Sequence, residues 1–258
     1  MTSTPHLVFL HLFKCGGTSV IHRLKSMVGE DHFYHFRRRG DADALLDCDP
    51  DAMGRFVAIG GHMGWSYLSE RFPDARKVTV LRDPVDRLIS QYFHFRKEHE
   101  GLDGTSPPLV AFRARFCAGH SFADYALSDD DRLSRFTRNF MTRTLAGAPA
   151  SADPDDPALY ETARANLARF DLVGLSDRLD ATFYSRLAAL IAGGDAAAAR
   201  RLPDGRKTEK NVSAERKNAE IPIADEAVAA ILERNGFDIR LYQTVKWFGV
   251  IRLPDSQS

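Results

Sequence analysis

The stretch from Leu7 to Ile21, LVFLHLFKCGGTSVI, constrains this chain more than any other. Leu7 to Leu12 is a short apolar run of strand formers, the pattern of a buried strand. Lys14 to Ser19 follows as a tight turn with Gly16 and Gly17 at its centre. From Thr18 on, Val20, Ile21, Leu24, Met27 and Val28 fall on one helical stripe. A strand, a glycine turn and a helix together aim main-chain N–H groups and the positive end of a helix dipole at an anion. The glycines let the main chain approach it closely. Lys14 adds a point charge, and Thr18 and Ser19 add hydroxyl donors. The stretch fits a phosphate or sulfate cradle, and it also fits an ordinary strand-to-helix turn with a surface lysine. It is not the common nucleotide loop, in which the lysine follows the glycines.

Further strands alternate with helices. Arg55 to Gly60 and Lys77 to Leu81 read as buried strands, and Phe170 to Leu175 as a late one. Asp83 is a helix cap with Pro84 at the first helical position, and the helix buries Val85, Leu88, Ile89, Tyr92 and Phe93. Residues 97–120 read as an insertion over the active face. Ser121 to Leu145 is predicted to hold two short helices, and Ala146 to Pro157 a loop. Helices are predicted over Ala158 to Arg169, Asp177 to Ala192, Ala224 to Asn235 and Asp238 to Trp247. Glu30 to Arg39 mixes aromatics with three arginines, Arg37 among them. It fits a solvated strand or loop edge, or a contact for an anionic acceptor. Gly193 to Asn218 reads as a link, and Arg200 to Lys217 within it holds seven Lys/Arg against three Asp/Glu. No repeat or linker divides the chain, so residues 1–258 form a single domain. Its expected fold is α/β with three layers, a mainly parallel sheet between helices.

Three positions beyond the first turn are candidates to carry chemistry. Arg82 ends a strand, where open α/β sheets place their ligands. Ser90 lies two helical turns later and off the apolar stripe. The pair also fits a capping network and a surface serine. His62 follows a strand end in Gly60-Gly-His-Met-Gly-Trp65, with room around it. A neutral imidazole suits a general base near neutral pH. A histidine after a strand can equally be structural, and His11 is the competing candidate.

Lys14-Cys-Gly-Gly-Thr-Ser19 after an N-terminal strand resembles the 5′-phosphosulfate loop of sulfotransferases that use 3′-phosphoadenosine 5′-phosphosulfate (PAPS). Within them the chain is most similar to the carbohydrate group that includes the heparan sulfate 2-O- and 6-O-enzymes and bacterial relatives. Those usually carry Pro where this chain has Phe13. Arg82-Asp-Pro with Ser90 eight positions on resembles the family's 3′-phosphate site, and His62 stands where such relatives place their base. The resemblance runs from about His6 to Phe248 and implies a P-loop-like fold. It implies sulfuryl transfer to a hydroxyl, on a carbohydrate acceptor. Lys14, Cys15, Gly16, Gly17, Thr18 and Ser19 would hold the 5′-phosphosulfate, and Arg82 and Ser90 the 3′-phosphate. Lys14 and His62 would be catalytic. Lys210, Asn211, Ser213 and Arg216 would close over the nucleotide. Asn139 and Arg143, in another family stretch, could serve acceptor contacts or packing. The scheme needs no metal.

Composition narrows the alternatives. With 35 basic and 35 acidic residues the net charge is zero, so a global field for nucleic acid is lacking. Cys15, Cys48 and Cys117 show neither metal-ligand nor disulfide spacing. No signal peptide or membrane span is visible. These features fit a soluble, cytoplasmic, bacterial form. A P-loop phosphotransferase would need a carboxylate for Mg²⁺ and a lysine after the glycines. A non-catalytic nucleotide- or glycan-binding protein would lose His62 or Lys14, and both are present.

Overall fold

The computed structural model describes residues 5–36, 56–193 and 223–248. Its sheet is built around β1, Leu7–Leu10, all four residues of which are buried. β2 spans Phe33–Phe36, β3 Ala58–Gly61, β4 Arg76–Leu81 and β5 Leu172–Leu175. The order across the sheet is β2-β3-β1-β4-β5, and every pairing is parallel. The expected mainly parallel sheet is thus wholly parallel among the described residues. Parallel strands need helical crossovers, and these cover both faces.

Alternation along β1 sorts the layers. Leu7 and Phe9 face α1 (Gly17–Val28) and α9 (Ala181–Ile191), packing with Val20, Leu24, Val78 and Leu187. Val8 and Leu10 face the opposite layer with Leu68, Leu145, Tyr160 and Leu241. That layer holds α2 (Trp65–Arg71), α7 (Phe140–Ala146), α8 (Pro157–Leu167) and α11 (Gly236–Phe248). A third cluster joins Leu88 and Phe95 of α3 (Pro84–Glu98) to Cys117 of α4 (Pro108–Gly119) and to Ile231 of α10 (Asp225–Arg234). Asp83 caps α3 as expected, accepting from the N–H groups of Val85 and Asp86.

Several expectations need correction. The edge segment is a strand whose ends, Phe33 and Phe36, are buried rather than solvated. Arg37 and the arginines after it lie outside the described residues, as do Arg55, Cys48 and residues 194–222, which hold all of the link but Gly193. The insertion after α3 is largely helical, because Ala111, Ala114 and Cys117 recur at helical spacing and bury. Three short helices, not two, fill the next stretch: α5 (Phe122–Ala126), α6 (Asp131–Thr137) and α7. Asn139, left-handed at φ 44°, breaks α6 from α7. α9 starts at Ala181, not Asp177, because Asp180 caps it through the Phe183 N–H. No helix among the described residues is long and apolar enough to cross a membrane.

Candidate active site

An all-parallel sheet brings every strand's carboxyl end to one edge, and there several of the residues singled out in the sequence meet. Lys14 to Ser19 follow β1, His62 follows β3, and Arg82 follows β4. Ser176 and Asp177 follow β5. All of these except Cys15 line, with Ser90 on α3, a cleft of about 530 Å³, within the usual range for a small-molecule site.

The turn after β1 is shaped by backbone constraint. Lys14 at φ 65° and Gly16 at φ 81° both take left-handed conformations. Gly17 is required for another reason: a Cβ there would stand 1.9 Å from Cδ2 of His11. Gly17 and Thr18 begin α1, where main-chain N–H groups have no intrahelical acceptor. The Ser19 N–H turns back to the Gly16 carbonyl, so Ser19 can offer its hydroxyl. Cys15 corrects the sequence reading. Its N–H goes to the Leu12 carbonyl and its Sγ turns inward, 3.7 Å from the Met141 sulfur. Burial raises that thiol to a pKa of about 12, so Cys15 packs beneath the turn.

Arg82 braces the turn by donating to the Lys14 carbonyl at 3.2 Å. Burial, and then Arg82, lower the pKa of the Lys14 ammonium, with Glu98 opposing. Two cations held side by side in a partly desolvated cleft favour an anionic ligand.

His62 donates its Nδ1–H to the main-chain carbonyl of His11 at 2.8 Å. Its ring stacks on the His11 ring with centroids 4.2 Å apart. Burial lowers the His62 pKa, Lys14 pushes the same way, and the bond to His11 opposes them. His11 itself is pushed down to about 3, by burial first and then by His62. Its Nδ1 is buried without a partner. His11 therefore lies over Gly17 as a neutral packing ring, and its carbonyl orients His62.

A second cleft, of about 910 Å³, shares His11, Phe13, His62 and His94 with the first. Its other walls include Phe136, Phe140, Arg113, Arg135 and Arg143. His62 thus stands where two clefts meet. Sequence reasoning missed His94, Glu98 and Arg113. The first two had a signal: Asp86, Ser90, His94 and Glu98 are each four residues apart and so share one face of α3. His94 Nε2 is 3.4 Å from a Glu98 oxygen, and Arg113 holds Glu98 through two hydrogen bonds. His94 is lowered to about 4 by burial and then by Lys14.

Asn139 is only 3% exposed and faces the interior. It donates to the Pro154 carbonyl and accepts from the Phe237 and Asp238 N–H groups. Between acceptor contact and packing, the geometry is that of packing. Arg143 does line the second cleft. Lys210, Asn211, Ser213, Arg216 and Arg37 lie outside the described residues.

A family model described as the sulfotransferase family matches residues 1–243, a span that holds every side chain lining both clefts. No curated protein matches the chain.

Proposed function

The chain belongs to the sulfotransferase family, which makes it a transferase, and from that premise we propose that it moves a sulfuryl group from PAPS to a hydroxyl of a carbohydrate acceptor. The observation that carries this reading is the position of His62 at the junction of two clefts, one lined by cations and helix-start N–H groups. The donor would occupy the smaller cleft, and the acceptor the larger. The residues fit a nucleotide with phosphates at both ends. Lys14 and the Gly17–Ser19 helix start lie on the β1 side, Arg82 and Ser90 on the β4–α3 side.

PAPS supplies an activated sulfur–oxygen bond whose cleavage leaves a phosphate. The protein's own contribution has three parts. Gly17 and Thr18 offer main-chain N–H groups, and Thr18 and Ser19 offer hydroxyls, to hold the reacting end. Lys14, in a site partly stripped of water, would stabilise the negative charge that grows on the leaving phosphate oxygen. His62 takes the acceptor's proton at Nε2, because Nδ1 already carries a proton directed at the His11 carbonyl. The acceptor oxygen that loses its proton to His62 would be the one that bonds to sulfur, as the bond from sulfur to the leaving phosphate breaks.

The test is label transfer from sulfur-labelled PAPS to a panel of glycans, phenols and small alcohols, together with thermal shifts from 3′-phosphoadenosine 5′-phosphate and ATP. Transfer to at least one glycan, with a larger shift for the bisphosphate, is the expected result. Equal shifts for the two nucleotides would reject the donor assignment, and transfer confined to phenols would reject the acceptor class.

A further inference from the structure

Among the described residues, the side chains that line both clefts are His11, Phe13, His62 and His94. Phe13 is the one of them with no hydrogen-bonding atom. It immediately precedes Lys14, and its half-buried ring touches both imidazoles that face the junction. The ring centroids lie 5.5 Å from His62 and 5.4 Å from His94, and both contacts are edge-on. His94 is turned toward Glu98, and the Nδ1–H of His62 toward the His11 carbonyl. Fully buried Phe95 of α3 stacks on Phe13 at 5.9 Å. Phe95 also meets Phe136, a wall of the larger cleft, at 5.6 Å. The Phe13 ring is therefore anchored on the apolar cluster around α3.

His62 alone does not distinguish an acceptor from water. The Nε2 lone pair can take a proton from either, and Lys14 stabilises the same leaving oxygen in both cases. A site that holds an activated sulfuryl group must therefore exclude water by its shape and polarity. A bound water needs about two to four polar partners, and an apolar wall supplies none. We infer that Phe13 decides this competition: its ring takes up the space beside His62 that a water would need, so that the base works on an acceptor held by the larger cleft. The inference rests on the proposed reading of the two clefts. In the reaction that Phe13 suppresses, a water oxygen bonds to sulfur and His62 takes that water's proton. The bond from sulfur to the phosphate oxygen breaks with its electrons left on that oxygen, and inorganic sulfate and 3′-phosphoadenosine 5′-phosphate leave. Phe13 moves no proton itself, so it is a positioning residue that acts through His62.

The experiment incubates sulfur-labelled PAPS with the full chain and no acceptor, and counts the sulfate released. In parallel the His62 imidazole is titrated by NMR without donor, its signal assigned with His62→Ala. Phe13→Ala should release sulfate roughly tenfold or more faster than wild type. It should also move the His62 pKa up toward 6.5, because burial is what lowers it. Phe13→Gln keeps the bulk and gives water a partner, so it should release sulfate faster as well, and it supplies the test if the truncated variant does not fold. Phe13→Leu, still apolar, should stay near wild type. Phe112→Ala, a truncation on α4 that packs on the same cluster but lines neither cleft, should leave both readouts unchanged. Sulfate release no faster than wild type in Phe13→Ala and Phe13→Gln, an equal rise in Phe112→Ala, or a His62 pKa unmoved in Phe13→Ala would each overturn the inference. Failure of the donor reading appears separately, as missing heat when 3′-phosphoadenosine 5′-phosphate is titrated into wild type, and the His62 titration alone would then decide.

Discussion

His62 donates Nδ1–H to the carbonyl of His11, 51 residues away in the chain, at 2.8 Å. A carbonyl can only accept, so the bond selects the tautomer with a free lone pair on Nε2. The stacked His11 ring, 4.2 Å away, limits how far His62 can turn.

A base held this way has a readable pH signature. Burial puts the His62 pKa below 6.5, and only the neutral ring accepts a proton. The acid limb of kcat/KM should therefore fall below pH 6.5, with activity lost as pH drops through the lowered pKa. His62→Ala should reduce kcat by about 10²–10⁴-fold and leave bisphosphate affinity unchanged. A folded, donor-binding variant that turns over within a few-fold of wild type would transfer attention to His11.

Lys14 should set the other limb. Its pKa is lowered from 10.5 by burial and by Arg82, so its charge is lost as pH rises through a value below that. Activity should decline on the alkaline side. Lys14→Ala should cut kcat by about 10²–10³-fold, abolish the alkaline limb and retain the acid one. An unchanged alkaline limb in that variant would exclude Lys14 as its source.

Arg82 is expected to serve both the ligand and the turn, through its bond to the Lys14 carbonyl. Arg82→Ala should weaken bisphosphate binding by about 1.5–3 kcal/mol, the range for a hydrogen bond to a charged group. Affinity for ATP, which lacks the 3′-phosphate, should change less. Calorimetry that finds equal losses for both nucleotides would mean that Arg82 acts only by bracing the turn.

Gly17→Ala should destabilise the protein by about 1–3 kcal/mol, an overpacking cost, because its Cβ would meet the His11 ring at 1.9 Å. Adding His11→Ala should recover part of the loss, a coupling that a double-mutant cycle in denaturant measures. Strictly additive effects would show that the ring is not what excludes a side chain at position 17.

Asp238 on α11 is fully buried. It accepts from the Met141 and Thr142 N–H groups and from the Thr142 hydroxyl at 2.7–3.0 Å. Asp238→Ala would leave those donors unpaired and remove the counter-charge for buried Arg87, at a cost of about 3–5 kcal/mol. Since α7 also carries Phe140 and Arg143 into the larger cleft, the remaining folded protein should show raised acceptor KM and unaltered donor affinity. A melting temperature equal to wild type would remove Asp238 from this role.

Some of this protein was legible in its residues alone. The strand, glycine turn and helix from Leu7 to Val28 could be read because each depends on neighbours a few positions away. The same holds for the Asp83 cap, and for Arg82 at the end of β4 with Ser90 on the helix that follows. The parallel sheet followed from strands that alternate with helices. What local pattern cannot state is which distant groups face one another. Strand order places β3 beside β1, and only that lets the His11 carbonyl choose the tautomer of His62. The packing of α11 on α7 draws Asn139 into the interior, and the turn of the main chain at Cys15 aims its thiol at Met141. Arg135 carried no signal in the sequence, and Arg143 fitted either acceptor contact or packing. Their surroundings come from α4, α6 and α7 folding around one cavity, so only the tertiary arrangement brings both to its wall.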